Sequence, residues 1–363
     1  MLISLACVLL GVGVVMVYSA SVTARPSAAD EIYLSRHATF LCIALFSGGA
    51  AAMMPASFWK RAAPWLFIAS AVLLLLVLIP GVGHRVNGAQ RWFRFGPVSM
   101  QPSEFVKLTI PLFLCWALAR QRRCAPLEPS PIRRSIRELG VVIPIALVLA
   151  LVLAEPDLGT AAFLGGVAAL TLFLARWPIR YFVVTGLTAL PLVAGVAFLR
   201  PYQLQRITGF LATWRDFGSA PYQVQQSLTT LGSGGWTGVG LGSGTQKLSF
   251  LPEANTDFVF AVVGEELGLI GTLGLLGLWA GLYWFGVALF TRNETPEFES
   301  VAGRALLIQL VAQAIVNMAV VTALAPPKGI AHPLIGYGGS SLLASVTALG
   351  VVVSLSRSTR PTV

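Results

Sequence analysis

The sequence predicts an all-α protein that crosses a membrane many times. Hydrophobic residues make up 56% of the chain and charged residues only 11%, whereas soluble globular proteins carry about 25% charged residues. The apolar residues form long runs, and most basic residues lie in the short segments between those runs, as the positive-inside rule describes. We therefore assign the net charge of +10 to membrane orientation and expect no nucleic-acid partner. One integral-membrane domain over residues 1–363 is expected.

Apolar runs of about 20 residues can cross a hydrocarbon core of about 30 Å as helices. The first run, 2–19, lacks the basic residues that precede the apolar core of a signal peptide, so we interpret it as a span rather than a cleaved signal. The sequence predicts ten transmembrane helices at 2–19, 38–54, 64–80, 104–119, 140–154, 158–175, 181–199, 259–290, 304–325 and 335–355.

The distribution of Lys and Arg predicts the orientation of these helices. The short segments after the even-numbered spans hold more basic residues than the short segments on the opposite side, so both chain ends are expected in the cytoplasm. A large extracytoplasmic loop, residues 200–258, then joins helices 7 and 8. This loop is polar and Gly-rich but contains Trp and Tyr, which argues against disorder and favours a functional segment.

One carboxylate, Asp257, ends this loop where the eighth span begins. Its spacing favours a helix cap at Thr256–Asp257, and a catalytic carboxylate is the alternative. Glu265 and Glu266 lie deeper in the same span. Because a charged group in lipid is costly, at least one of these two glutamates must face the protein interior.

A second polar pair, Glu104 and Lys107, lies at i and i+3 on one face of the fourth span. Such a pair is expensive inside a membrane unless its members meet each other or water. The pair is therefore either a clamp between helices or part of the reaction site.

Basic residues gather on the predicted outer face. Three of them alternate with Trp and Phe in residues 81–108, which fits either an interfacial aromatic belt or an anion site, because guanidinium groups match phosphate oxygens. The candidate anion ligands are Arg85, Arg91, Arg94, Arg200, Arg206 and Lys247. The Gly-rich run Gly232–Gly244 matches neither a Walker A motif nor GxGxxG, so a flexible loop is expected there.

Several motifs, in chain order, resemble the SEDS family of bacterial cell-shape, elongation, division and sporulation polymerases. They are MVYSAS (16–21), VNGAQRWFRFGPVSMQPSEFVKL (86–108), EPDLGT (155–160), YQVQQSL with GSGG (222–235), LPEANTDFVFAVVGEELGLIG (251–271) and PPKG with YGGSS (326–341). MVYSAS and PPKG resemble the FtsW-like division members more than the RodA-like elongation members, in which TG is expected in place of KG.

The resemblance implies a ten-helix membrane enzyme that polymerises lipid II into peptidoglycan glycan strands on the outer face of the plasma membrane. It implies a class B penicillin-binding protein as partner, with other divisome or elongasome membrane proteins. Asp257 matches the family's essential aspartate, and Glu104 and Lys107 match its polar pair. The family commonly carries His where this chain has Asn255, so a mechanism that needs this imidazole is not expected.

The expected chemistry is an inverting glycosyl transfer. Asp257 is the candidate base for the acceptor hydroxyl, and the basic residues named above are candidates for the leaving pyrophosphate. A divalent cation, Mg²⁺ or Mn²⁺, could share that work with Asp257 as a ligand, and no organic cofactor is expected. The alternatives are a lipid II flippase, an elongation-type polymerase and a non-catalytic scaffold. The sequence shows no inverted repeats, which counts against the flippase.

Overall fold

A computed structural model describes residues 1–21, 28–86, 88–96, 98–123, 131–199, 201–247, 250–291 and 295–358. Its regular structure is almost entirely helical. The α-helices are α1 (Leu2–Ser21), α2 (Ala28–Met53), α3 (Ala56–Leu78), α4 (Pro102–Arg123), α5 (Pro131–Ala154), α6 (Leu158–Leu174), α7 (Ile179–Leu199), α8 (Pro201–Thr213), α9 (Tyr222–Ser233), α10 (Val259–Ala288), α11 (Glu297–Val321) and α12 (Gly339–Ser356).

Each predicted span overlaps one of these helices, although several helix ends differ from the predicted ones. Among the described residues, six helices are long and apolar enough to cross a membrane, and they contain Leu2–Ala20, Ala56–Leu78, Pro102–Arg122, Val259–Ala288, Glu297–Val321 and Gly339–Ser356. Two further apolar stretches, Gly140–Ala154 and Leu158–Leu174, are shorter. The described helices are those of a multi-pass membrane protein, and the count of ten spans stays a prediction.

The chain divides into two compact units. The first unit comprises Met1–Thr39, Pro178–Phe285 and Leu310–Gly338, and the second comprises Phe40–Trp177, Gly286–Gln309 and Gly339–Val363. Each unit is built mainly from helices, and each carries part of the polar chemistry.

In the second unit, the core forms around α4, which packs against α3, α5, α6 and α12. Phe67 of α3 stacks on Phe113 of α4 with ring centroids 4.1 Å apart. Small residues bring α2 and α12 together, because a Cβ at Gly350 would lie 2.1 Å from the carbonyl oxygen of Gly48. Close backbone contact through small residues is the usual way in which membrane helices gain packing energy.

A three-stranded antiparallel sheet, which the sequence analysis did not predict, lies between α3 and α4. Its strands are β1 (His84–Val86), β2 (Ala89–Phe95) and β3 (Val98–Met100), in that spatial order. Gly88 and Gly96 take positive φ angles of 81° and 61° between the strands, which glycine adopts readily. Gln90 donates from Nε2 to the carbonyls of Val77 and Ile79, so the sheet satisfies acceptors at the end of α3.

In the first unit, the described residues of the long segment, 201–247 and 250–258, are folded. The segment contains α8, a 3₁₀ turn at Phe217–Ser219, and α9. Ser227 of α9 is fully buried and donates to the carbonyl of Val321 at the end of α11, 2.7 Å away. This contact fixes α9 to the membrane helices of the unit.

The Gly-rich run of this segment is hydrogen-bonded along α10, so the prediction of a flexible loop is wrong. Val239 and Gly240 donate backbone N–H groups to the carbonyls of Glu265 and Glu266 at 2.9 and 3.1 Å. Gly268 interrupts α10 with φ 66° and ψ −163°. A Cβ at Gly268 would lie 2.4 Å from the nitrogen of Gly238, so these glycines permit two backbones to touch.

Candidate functional site

Asp257 lies just before α10 in the first unit, half-buried, in a segment with no regular secondary structure (residues 251–258, here the Asp257 segment). Its carbonyl oxygen accepts a hydrogen bond from Nδ2 of Asn317 at 2.7 Å. The Thr256 hydroxyl donates to Oε2 of Glu253 at 3.0 Å, within the segment rather than to the first turn of α10. The Thr256 half of the predicted cap is therefore turned away from the helix.

A second irregular segment, residues 326–338 between α11 and α12, lies against the Asp257 segment (here the α11–α12 segment). Tyr337 donates its N–H to the carbonyl of Asn255 at 2.7 Å. A Cβ at Gly336 would lie 2.6 Å from the carbonyl oxygen of Thr256, and one at Gly329 would lie 3.1 Å from Oδ2 of Asp257. The backbone at residue 329 thus borders the Asp257 carboxylate.

Two amide side chains of α11 support this arrangement, and the sequence analysis missed both. Asn317 and Gln313 are one helical turn apart and almost fully buried. Asn317 also donates to the carbonyl of Ile330 at 2.9 Å, and Gln313 donates to the carbonyl of Ala331 at 3.0 Å. The available signal was a pair of amides four residues apart in an otherwise apolar helix.

Arg206, one of the predicted anion ligands, belongs to the same neighbourhood. It projects from α8, and its Nη1 donates to the carbonyl of Pro327 at 3.2 Å. The first unit therefore brings Arg206 to the α11–α12 segment that also borders Asp257.

Lys247, another predicted anion ligand, is enclosed by protein groups in the first unit. Its side chain is 1% exposed, and Nζ lies 2.7 Å from Oε1 of Glu266, whose side chain is 0% exposed. The same Nζ donates to the Ser19 hydroxyl at 2.9 Å and to the Gly242 carbonyl at 3.1 Å. We call these four residues the Glu266 cluster.

Both glutamates of α10 face the protein interior, which confirms the expectation for at least one of them. Oε1 of Glu265 accepts the backbone N–H groups of Thr245 and Gln246 at 2.8 and 3.1 Å. Oε2 of Glu266 accepts the N–H of Gly242 at 3.1 Å. The two carboxylates thus hold the end of the Gly-rich run against the helix.

In the second unit, Glu104 and Lys107 meet as the spacing predicted. Oε1 and Nζ are 2.6 Å apart, and both side chains are largely buried. The ammonium group also lies 5.8 Å from the ring centre of Phe163 in α6, within cation–π range. The contact fits either a clamp or a reaction site, and both interpretations stay open.

Arg91 binds the turn between α5 and α6 in the second unit. Its guanidinium donates to the carbonyls of Glu155 and Pro156 at 3.0 and 2.7 Å and to Oδ2 of Asp157 at 3.1 Å. Asp157 also caps α6 by accepting the N–H of Thr160 at 3.0 Å. The sequence analysis quoted EPDLGT only as a motif and missed this arrangement.

The same turn buries a carboxyl group. Glu155 is 0% exposed, and neither of its carboxyl oxygens has a hydrogen-bond partner among the described residues. Burial raises the pKa of Glu155 to about 8, the nearby Asp157 carboxylate adds to the rise, and Arg91 opposes it.

Arg85 and Arg94 are exposed on the sheet of the second unit, and Nε of Arg85 lies 3.4 Å from Oε1 of Gln90. Arg200 lies outside the described residues. Within the part of the chain that the structure describes, no three His, Cys, Asp or Glu side chains cluster as a metal site. A cation at Asp257 would therefore take most of its ligands from substrate and water, as Mg²⁺ commonly does beside phosphates.

The long apolar helices define a multi-pass membrane protein. Its candidate site, the Asp257 segment with the α11–α12 segment, lies where α10, α11 and α12 begin or end. The cell cycle protein family of FtsW, RodA and SpoVE matches residues 1–361, and the chain belongs to this family. The resemblance to SEDS proteins is thereby confirmed.

Individual relatives agree with this assignment. The chain is 39% identical over 352 residues to a probable peptidoglycan glycosyltransferase FtsW from Allochromatium vinosum, covering 96% of this chain and 86% of the relative. A chain from a peptidoglycan synthase complex that coordinates polymerization and crosslinking matches with a TM-score of 0.76 and 30% identity, covering 98% of this chain and 96% of that one. RodA of Thermus thermophilus matches with a TM-score of 0.70 and 28% identity, covering 98% and 95% of the two chains.

Proposed function

We propose that this protein is a peptidoglycan glycosyltransferase that polymerises lipid II on the outer face of the bacterial plasma membrane, with Asp257 as the catalytic base. The observation that carries the residue assignment is the way Asp257 is held. Its backbone is clamped by Asn317 while its side chain stays half-buried beside Gly329. The family membership and the FtsW relatives support the activity.

The reaction joins an acceptor sugar hydroxyl to a donor sugar and releases a pyrophosphate-linked lipid. A carboxylate within hydrogen-bond reach of the hydroxyl takes its proton as the new bond forms, and a fixed backbone keeps that carboxylate in place. Asp257 performs this step in the proposal.

Cationic side chains stabilise the leaving pyrophosphate. Arg206 contacts Pro327 in the α11–α12 segment, which borders Asp257, and Arg85 and Arg94 are exposed. Arg91 and Lys247 already donate to protein groups, which makes them weaker candidates, and Arg200 completes the set. A bound divalent cation would add Lewis-acid stabilisation of the same phosphate oxygens, with Asp257 as its protein ligand.

The proposal places the protein in division rather than elongation, because its curated relatives are FtsW proteins. The chain has ten spans in this proposal, with both ends in the cytoplasm and residues 200–258 outside. A class B penicillin-binding protein is the proposed partner, since a structural relative works in a complex that couples polymerization to crosslinking. Lipid II and the nascent glycan are the proposed ligands.

The test is lipid II polymerisation by purified protein, alone and with the cognate transpeptidase. Asp257→Asn is expected to lower the rate about 10²–10⁴-fold, the usual contribution of a positioned base, with an unchanged unfolding temperature. Asp216→Asn is the matched control, because Asp216 is an exposed carboxylate in the same loop and Asn can still accept from Gly218.

Full polymerisation by Asp257→Asn would exclude the base assignment. Fluorescent lipid II in proteoliposomes separates the remaining alternatives. A polymerase produces glycan strands, a flippase moves the label across the bilayer without strands, and a scaffold does neither.

A further inference from the structure

We propose that Asn317 is a positioning residue for the reaction: its amide group holds the backbone at Asp257 against residue 330 of the α11–α12 segment, in addition to the backbone bond from Tyr337 to Asn255. The inference rests on the proposed function, because it treats Asp257 as the reacting carboxylate. Nothing in the sequence motifs assigned a role to Asn317, which lies on a membrane helix and is 2% exposed.

The geometry of this amide is specific. A side-chain amide has two N–H donors in a fixed plane. Asn317 donates from the same nitrogen to the carbonyl of Asp257 at 2.7 Å and to the carbonyl of Ile330 at 2.9 Å. The two acceptor carbonyls are 73 residues apart in the sequence, so this one nitrogen links two segments of the backbone that are distant in the chain.

Asn317 reaches the backbone where α10 begins. At this helix start, Ala261 and Val262 donate to the carbonyl of Phe258, and Asn317 donates from α11 to the carbonyl of Asp257.

The amide oxygen of Asn317 indicates that this residue is present for its two N–H donors. Oδ1 of Asn317 is buried and has no hydrogen-bond partner among the described residues. A buried acceptor without a partner is unfavourable, and an apolar side chain would avoid that penalty. A residue chosen for packing alone would not carry this oxygen.

The bond to Ile330 also affects the position of the Asp257 carboxylate, because the preceding residue, Gly329, lies beside it. Gly329 is so close to Asp257 that an added Cβ would lie 3.1 Å from Oδ2. Asn317 holds the backbone on both sides of this approach, at residue 257 and at residue 330. A shift of either segment would move the carboxylate relative to an acceptor hydroxyl, and small misplacements of a reacting group cause large losses of rate.

The experiment compares Asn317→Leu and Asn317→Ala with Ser227→Ala in lipid II polymerisation. Leu has nearly the shape of Asn without its donors, and Ala reports separately if Leu does not fold. Ser227→Ala removes another buried side-chain bond to a backbone carbonyl of the first unit, at Val321, and serves as the stability control. All variants are purified as full chains and checked by size exclusion and thermal unfolding.

Both Asn317 variants are expected to lower kcat about 10-fold or more while KM for lipid II stays within about 2-fold, because Asn317 is buried and contacts backbone only. The acid limb of the pH–rate profile, which reports the base, is expected to shift in these variants and not in Ser227→Ala. A purely structural residue would move only the unfolding temperature.

The inference is overturned if a folded Asn317 variant keeps the wild-type kcat and pH profile. It is also overturned if kcat falls only in proportion to lost stability, as in Ser227→Ala. Asp257→Asn, measured in parallel, separates the two proposals. An inactive Asp257→Asn beside a fully active Asn317→Leu removes the positioning role alone. An active Asp257→Asn removes the base assignment and, with it, the positioning role, whatever Asn317→Leu shows.

Discussion

The Glu266 cluster and the Asp257 segment lie in the same unit, and both place acidic residues at the start of α10, but they hold them in opposite ways. In the cluster, the Glu266 carboxylate is fully buried and bonded to Lys247, Ser19 and Gly242. At Asp257, the bond from Asn317 goes to the backbone carbonyl, and the carboxylate lies half-buried beside a glycine.

The two sites differ in what their hydrogen bonds hold: the side-chain carboxylate at Glu266 and the backbone at Asp257. A carboxylate whose oxygens accept from buried donors is committed to the fold, because removing either partner leaves a buried group unpaired, and it has little capacity left for a substrate. A carboxylate on a fixed backbone can be held in place for a reacting group. Glu266 is structural by the first criterion, and the proposed function assigns the chemistry to Asp257.

The largest expected effect is on the cluster. Glu266→Leu leaves the Lys247 ammonium buried without its partner, and breaking a buried ion pair from one side costs about 3–5 kcal/mol of unfolding free energy. The unfolding temperature in detergent, followed by Trp fluorescence, should fall well below that of wild type and of Asp257→Asn. A Glu266→Leu protein as stable as wild type would contradict the structural assignment.

Two glycines next to the Asp257 segment give a smaller, graded effect. Gly336→Ala would place a Cβ 2.6 Å from the Thr256 carbonyl oxygen, so the backbone must move. We expect the free energy of unfolding to fall by about 1–3 kcal/mol and most of the activity to be lost. Gly329→Ala meets the carboxylate at 3.1 Å and is expected to lower polymerisation with stability changed by only about 0.5 kcal/mol.

The matched control for both is Gly274→Ala, because Gly274 is in α10 and an added Cβ there would have no neighbour within 4 Å among the described residues outside its own helix. Rates and unfolding temperatures are measured for the three variants together. Equal loss of activity and stability in Gly329→Ala would place residue 329 with the structural group instead.

The pH dependence of stability extends the comparison to the second unit. The pKa of Glu155 is raised to about 8 in the folded protein, so its protonated form contributes stability that is full below its unfolded pKa and is lost as the pH rises through about 8. Glu155→Gln stays neutral and should lose less stability than wild type between about pH 6 and pH 9. Parallel unfolding curves for the two proteins over this range would contradict the assignment.

The smallest effect is expected from the exposed arginines. Arg85→Gln and Arg94→Gln should raise KM for lipid II by about 2- to 5-fold, more at low than at high salt, without changing the unfolding temperature. Steady-state polymerisation at two ionic strengths measures this. A change in stability instead of KM would mean that these side chains support the sheet.

The helices and the Glu104–Lys107 contact could be predicted because each depends on local sequence. Apolar runs place the spans, and an i, i+3 spacing brings two side chains together within one helix. The family resemblance, rather than spacing, selected Asp257 over a helix cap.

The remaining features depend on contacts between distant segments. Lys247 bonds to Ser19, which is 228 residues away in the sequence, and Asn317 bonds to the backbone of Asp257, which is 60 residues away. No short motif predicts either contact. The sheet has only a weak local signal, since Ala89 and Phe93 are buried on one face of β2 but Arg91 lies between them on the same face. The Gly-rich composition predicts a flexible loop, whereas close contact with the backbone of α10 explains several of these glycines.

The interruption of α10 at Gly268 also changes how much of this helix has to lie in lipid. Residues 269–288 alone form a rod of about 20 residues and about 30 Å, which matches the thickness of a hydrocarbon core. The break therefore divides α10 into a second part that is long enough to cross a membrane by itself and a shorter, largely apolar first part that carries Glu265 and Glu266 and holds the Gly-rich run.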